Sequence, residues 1–143
     1  MGEDIQRIFE NKLFLQNTWL FGEMVSSVIL NSIAKLMRLQ LIKKDEELTS
    51  AKTPTIFMLK KGEIQVFFEE KQVDILKPGG FFGEESIFLK EANLFTARAS
   101  KDSSIYIISG DILQFKPIIE WKLLETFEKR LRTFGTQLEQ EIV

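Results

Sequence analysis

Hydrophobic positions along the chain follow three successive regimes. Over residues 3–36 they recur every three or four places: "EDIQRIFENKLFLQ" opens with acids that suit a helix N-terminus, and "SSVILNSIAKLM" offers a Ser cap ahead of Val28, Ile29, Ile33 and Leu36. "TWLFGE" between them reads as a turn. From residue 37 the period drops to two, with Met37, Leu39 and Leu41 on one side of a strand and Arg38 and Gln40 on the other. "TIFMLKKGEIQVFFEEKQVDIL" predicts strands over 55–60, 63–69 and 72–76, broken at Lys61-Gly62 and at the charged turn "EEK". Pro78, Gly79 and Gly80 stop the sheet, and a further strand pair is predicted over 94–100 and 104–109, around "KDSS". From Asp111 the helical period returns, Pro117 marks a break, and a long helix is predicted over 118–142.

Helices, then many short strands with regular breaks, then a long helix predict a mainly β chain: a jelly-roll sandwich, or double-stranded β-helix, with N-terminal helices and a long C-terminal helix. The expected division is 1–36 for the N-terminal helices, 37–109 for the jelly roll and 110–143 for a hinge and final helix, all within one domain. In that last helix Leu124, Phe127, Leu131, Phe134 and Leu138 alternate spacings of three and four. Such a seam predicts a partner helix and hence a homodimer through residues 118–142; a helix packed on its own sheet is the competing reading.

Composition removes whole classes of chemistry. The chain has 143 residues with no Cys and no His. Disulfides, iron–sulfur clusters, Cys/His zinc sites, Ser-His-Asp triads and Cys-His dyads are therefore excluded. Neither a cofactor nor a metal is expected. A cupin, which carries its metal on histidines, fails on the same ground. Two adjacent carboxylates on one turn rarely point at one substrate, which argues against a glycosidase. The chain is read as a non-enzyme with no catalytic residues. Net charge is −2, lacking the positive field that nucleic-acid binders use. No apolar run approaches the ~20 residues of a membrane span and no cleavable leader is visible, so a cytoplasmic protein without nucleic-acid or membrane partners is expected. Thirteen Phe against one Tyr predict a tightly packed apolar core.

Within "GGFFGEESIFLKEANLFTARA", residues 79–99, two acids follow glycines and phenylalanines in a stretch otherwise fit to be buried. Phe82-Gly83-Glu84, then Thr96-Ala97-Arg98-Ala99, then "SSIYIISGDIL" resemble the cyclic nucleotide-binding domain family of cyclic-AMP-dependent kinase regulatory subunits, catabolite-activator-type regulators and cyclic-nucleotide-gated channels. Upstream, "FMLKKGEIQVF" and "ILKPGGFFGE" resemble the family's preceding strands and turn, and the likeness runs from about Trp19 into the final helix.

The resemblance implies a sensor in which a small ligand, cyclic AMP or cyclic GMP, sits in the jelly roll and shifts the helices after Gly110. It places Glu84 where a carboxylate holds the ribose 2′-hydroxyl, and Gly83 and Ser86 where backbone amides approach the ligand. A glycine turn leading into a short helix is physically suited to this, because its N–H groups favour a phosphate while an adjacent carboxylate accepts from a sugar hydroxyl. Helix capping is the structural alternative for Glu84, and the steric demand of a tight turn is the alternative for Gly83. Glu85 stands at a position that is usually aliphatic and is expected to point to solvent. Thr133 and Thr136 are candidate lid contacts from the final helix, as are Trp121 and Phe127 in a stacking role, weighed against ordinary exposure and core packing.

By the resemblance, the family's phosphate-binding arginine and the two small residues after it correspond to Asn93, Leu94 and Phe95 here, so the cassette is degenerate. A hydrogen bond to a charged group contributes about 1.5–3 kcal/mol, so its loss weakens phosphate binding by about one to two decades. The alternative function is a nucleotide-independent dimerisation or docking module of the same fold. No output segment is recognised, so the chain reads either as a fragment of a longer signalling protein or as acting on a partner.

Overall fold

The computed structural model describes residues 2–22, 26–49, 53–89, 95–113 and 116–142. Helix α1 (Gly2–Gln16) and helix α2 (Ser27–Leu36) come first. Ser26 caps α2 through its hydroxyl, which accepts from the Ile29 amide. Eight strands follow: β1 (Arg38–Ile42), β2 (Glu47–Thr49), β3 (Thr55–Lys61), β4 (Ile64–Phe68), β5 (Lys71–Leu76), β6 (Phe81–Phe82), β7 (Phe95–Ala99) and β8 (Ser103–Ser109). A one-turn helix, α3 (Glu85–Phe88), lies between β6 and β7. After a 3₁₀ turn at Gly110–Ile112, helix α4 spans Pro117–Ile142, with Pro117 at the first helical position, where its missing N–H has no consequence.

The strands form two antiparallel four-stranded sheets, in the orders β1-β8-β3-β6 and β2-β7-β4-β5. Within the first sheet, strand β3 is buried on both faces from Thr55 to Leu59, which explains why "TIFML" is a continuous apolar run instead of an alternating one. Phe57 and Leu59 point between the sheets, towards Val66, Phe82, Phe95 and Ile105. Ile56 and Met58 point the other way, into a second core with Leu15, Phe21, Ile33, Tyr106, Ile119 and Leu123, contributed by the helices. The jelly-roll expectation and its flanking helices match this architecture.

Three local differences have physical causes. Strands β2 and β6 have only three and two residues, too short to display a period. Strand β1 is a sheet edge, and Leu39 and Leu41 are 50% and 76% exposed, so its apolar side looks outward and only Ile42 is buried. The seam expected on α4 divides in two. Phe127 and Phe134 turn inward onto the inter-sheet core, whereas Leu124, Leu131 and Leu138 remain exposed. On a straight helix a step of three turns back by about 60° and a step of four turns forward by about 40°, so the alternation crosses between two neighbouring stripes about a sixth of a turn apart. Further along, Gly135 faces open space, with nothing within 4 Å of where a Cβ would stand.

Candidate functional site

The candidate site is built by the β5–β6 connection, the turn after β6, and α4 lying across them. "KPGG" closes the connection: the Gly80 amide donates to the Lys77 carbonyl at 2.8 Å, and the Gly79 amide to Leu59 of β3 at 2.8 Å. After the short strand β6, Gly83 adopts φ +103°, and a Cβ there would sit 2.4 Å from the Thr55 carbonyl oxygen. Both the backbone conformation and the close approach demand glycine. Residues 81–86 are all buried, so the turn folds its acids into the protein.

Glu84 is wholly inaccessible to solvent. It stands at the N-cap of α3, yet its side chain makes no capping bond. Its carboxylate instead meets Arg130 of α4, whose Nη1 donates to Glu84 Oε1 at 2.6 Å. Arg130, only 2% exposed, also donates from Nη2 to the Phe81 carbonyl at 2.6 Å and from Nε to Asp74 Oδ2 at 3.0 Å. Its guanidinium thus ties α4 to β5, β6 and the cassette turn at once. Burial opposes its charge, but the carboxylates of Glu84 and Asp74 more than offset that and hold its pKa above the ordinary arginine value.

Glu84 Oε2 has no hydrogen-bond partner among the described residues, although it too is buried. An unsatisfied buried acceptor costs about 1–3 kcal/mol, more when charged.

Asp74 reaches Arg130 because β5 is irregular. Val66 pairs with Asp74 and Phe67 with Gln72, so Val73 is an extra residue and the strand bulges. Beside this bulge, β5 presents both the Asp74 carboxylate and the Gln72 carbonyl to α4, where Gln137 donates to the latter. The inward stripe of α4 is therefore Ile119, Leu123, Phe127, Arg130, Phe134 and Gln137. Phe127 meets Phe95 edge-on at 5.8 Å, and Phe134 meets Phe68 edge-on at 4.5 Å. Asp74, Phe81 and Arg130 also line an open cavity of about 460 Å³ with Trp19, Lys77 and Lys129, which leaves the Asp74 side chain 39% exposed.

The other candidates fall as follows. Ser86 lies against β3: its hydroxyl donates to the Gly83 carbonyl at 2.6 Å and accepts from the Thr55 amide at 3.1 Å. Its own amide donates to the Gly83 carbonyl at 3.0 Å, so both of its polar groups are engaged inside the turn. Glu85, expected in solvent, is buried, because the single turn of α3 is packed down with the rest of residues 81–86. Asn93 and Leu94 lie outside the described residues. Thr133 and Thr136 donate back to the carbonyls of Lys129 and Arg132, at 3.0 and 3.1 Å. Trp121 is exposed and points away from the cassette core that Phe127 joins.

Arg130 was not among the sequence candidates. The signal that could have found it is a cation three residues after one inward phenylalanine and four before the next. Among the described residues no group of acids could hold a metal ion, and no helix is long and apolar enough to cross a membrane.

A family model described as cyclic nucleotide-binding domain matches residues 39–115. Several solved structures share the fold. Cyclic-AMP-bound PfPKA-R superposes with a TM-score of 0.79 at 15% identity, over 93% of this chain and 49% of that one. The regulatory subunit of a cAMP-independent protein kinase A from Trypanosoma cruzi, bound to guanosine, gives 0.73 at 16% identity, over 94% and 53%. The sensor domain of the transcriptional regulator DNR from Pseudomonas aeruginosa gives 0.68 at 21% identity, over 94% and 93%. The chain thus spans about half the length of the two kinase regulatory subunits and nearly all of the bacterial sensor domain.

Proposed function

The chain belongs to the cyclic nucleotide-binding domain family, and on that premise we propose that it is a regulatory sensor domain in which a ribose-bearing small ligand in the jelly roll is coupled to movement of α4. The observation that carries this reading is Glu84 Oε2, a buried acceptor without a partner among the described residues, at the position where, by the resemblance, the family's carboxylate meets a sugar hydroxyl. Cyclic AMP and cyclic GMP are the first candidates. With Asn93, Leu94 and Phe95 in place of the cassette arginine and the two small residues after it, the phosphate contributes less here than the sugar and base. The guanosine-bound trypanosomal relative supports including a nucleoside without any phosphate.

Thermal-shift measurements and calorimetry with cyclic AMP, cyclic GMP, cyclic dinucleotides and guanosine test the reading. A ligand at about a hundred times its Kd adds about 2.7 kcal/mol of stability. No shift with any of them at millimolar concentration refutes it and leaves the nucleotide-independent module.

Self-association through residues 118–142 is a second part of the proposal, now resting on the outward stripe. Leu124, Leu131 and Leu138 are seven residues apart and exposed, with Trp121 beside them. Sedimentation should report a dimer that Leu131→Glu converts to monomer; a monomeric parent removes this part.

A further inference from the structure

The two sheets have four edges, and three of them offer little to pair with. Strands β2 and β6 are only three and two residues long, and β5 is engaged by α4, with Gln137 donating to its Gln72 carbonyl and Arg130 to its Asp74 carboxylate. The fourth edge is β1, on the opposite side of its sheet from β6 and the cassette turn. All five of its residues pair with β8, and among the described residues no strand pairs with its other side. Alternate N–H and C=O groups of such a strand point out of the sheet and can bond to another chain. Natural edges are usually blunted by shortness, charge, proline or a cover. Here the edge displays Leu39 and Leu41, 50% and 76% exposed.

Leu39 pairs with Tyr106, on the side of the sheet that the helices cover, and a cavity of about 360 Å³ opens there between α1 and the sheet. Arg38, Leu39, Lys60 and Tyr106 line it from the strands, and Arg7 and Glu10 from α1. The Tyr106 side chain is 4% exposed, yet its hydroxyl has no hydrogen bond among the described residues. Arg7, Arg38 and Lys60 have no ion pair among those residues either, and Glu10 accepts from Gln6. Three cations thus stand against one acid beside an open edge.

We propose that β1 is a docking edge for an extended, acidic peptide segment with apolar residues at alternate positions. Its backbone continues the sheet, its apolar side chains cover Leu39 and Leu41, and its carboxylates meet the charge of Arg7, Arg38 and Lys60. Five residues of β1 extend about 17 Å, so a segment of similar length suffices. A second copy of this chain fits less well, because pairing β1 with β1 sets two cationic rims against each other.

A displayed library of ten-residue peptides, selected on the purified protein at low salt, tests the proposal. Enriched sequences should alternate apolar residues and be rich in Glu and Asp, and the best of them, made synthetically, should protect the amides of residues 38–42 from exchange. Leu41→Lys should abolish its binding, since an outward lysine opposes edge pairing. Arg7→Glu combined with Arg38→Glu should weaken it about tenfold. All three positions are exposed, so both variants should melt with the parent, which separates lost docking from lost folding. Enrichment of no peptide, or of peptides that bind both variants as well as the parent, overturns the docking edge. A parent dimer that Leu41→Lys dissociates and Leu131→Glu does not gives the edge to a second copy and overturns the peptide partner.

Discussion

Replacing Arg130 with methionine removes the charge while keeping an unbranched side chain in its place. Glu84 is then left wholly buried, with neither oxygen partnered by a described residue, and the Phe81 carbonyl loses a donor at 2.6 Å. Breaking a buried ion pair from one side costs about 3–5 kcal/mol, because the surviving charge has lost both water and its partner. For a chain of this size, with a total stability of about 5–15 kcal/mol, that corresponds to a melting temperature lower by about 10–15 °C. Adding Glu84→Gln should recover at least about 2 kcal/mol, since an uncharged amide costs much less to bury than an orphaned carboxylate. Urea unfolding followed by Trp fluorescence and circular dichroism measures all four corners of the cycle, and an unchanged slope would confirm that only stability has moved. A coupling of about 2 kcal/mol or more is expected between the two sites. Strict additivity, or a loss below about 1 kcal/mol for Arg130→Met, would mean that the carboxylate is hydrated and the buried pair is not there.

Three further outcomes follow from geometry already described. Gly83→Ala places a Cβ 2.4 Å from the Thr55 carbonyl at φ +103°, so thermal unfolding should show a loss of about 1–3 kcal/mol or more, together with loss of any ligand response. Ser86→Ala strands the buried Thr55 amide and should cost about 1–3 kcal/mol in urea, without changing the outward face of α4. Glu63 accepts from Lys77 and Ser100, which together hold its pKa below the reference value of 4.5. Its contribution is therefore complete above that value and lost as pH falls through the lowered folded one. The stability gap between the parent and Glu63→Gln should be full above the reference value of 4.5 and shrink as acid is added until the carboxyl is protonated in the folded protein; a gap that does not change with pH would refute the pairing.

The strands easiest to read in the sequence were those whose apolar residues had somewhere to go. Thr55–Lys61, Ile64–Phe68 and Lys71–Leu76 were predicted to within a residue or two, because long apolar or alternating runs punctuated by Gly62 and by Glu69-Glu70 permit few other folds. Leu39 and Leu41 followed the same alternation but belong to an edge strand, and alternation assigns sides without saying which side is covered. On α4 the leucines and phenylalanines merged into one seam, since spacing alone cannot tell a stripe facing the body from one facing solvent. The glycine turn ahead of Glu84 was legible because Gly83 carries a local constraint, a positive φ against a close carbonyl, and the resemblance drew attention to the acid beside it. Arg130 escaped because its meaning is set 46 residues away by Glu84, and a charged residue on an amphipathic helix is ordinarily solvated. The β5 bulge that brings Asp74 to it leaves no mark on the pattern of apolar positions.

Gly135 gives α4 a joint. Alanine there would gain roughly 0.5–1 kcal/mol of helix propensity and touch nothing, so no packing demand explains the glycine. The helix is weakest just beyond the stretch that Phe127, Arg130 and Phe134 hold against the body, with Gln137 as a polar tie on the far side. Mechanically α4 is a clamped beam with a softer end: any bend it takes costs least at Gly135, outside the stretch that its inward rings seat on the body.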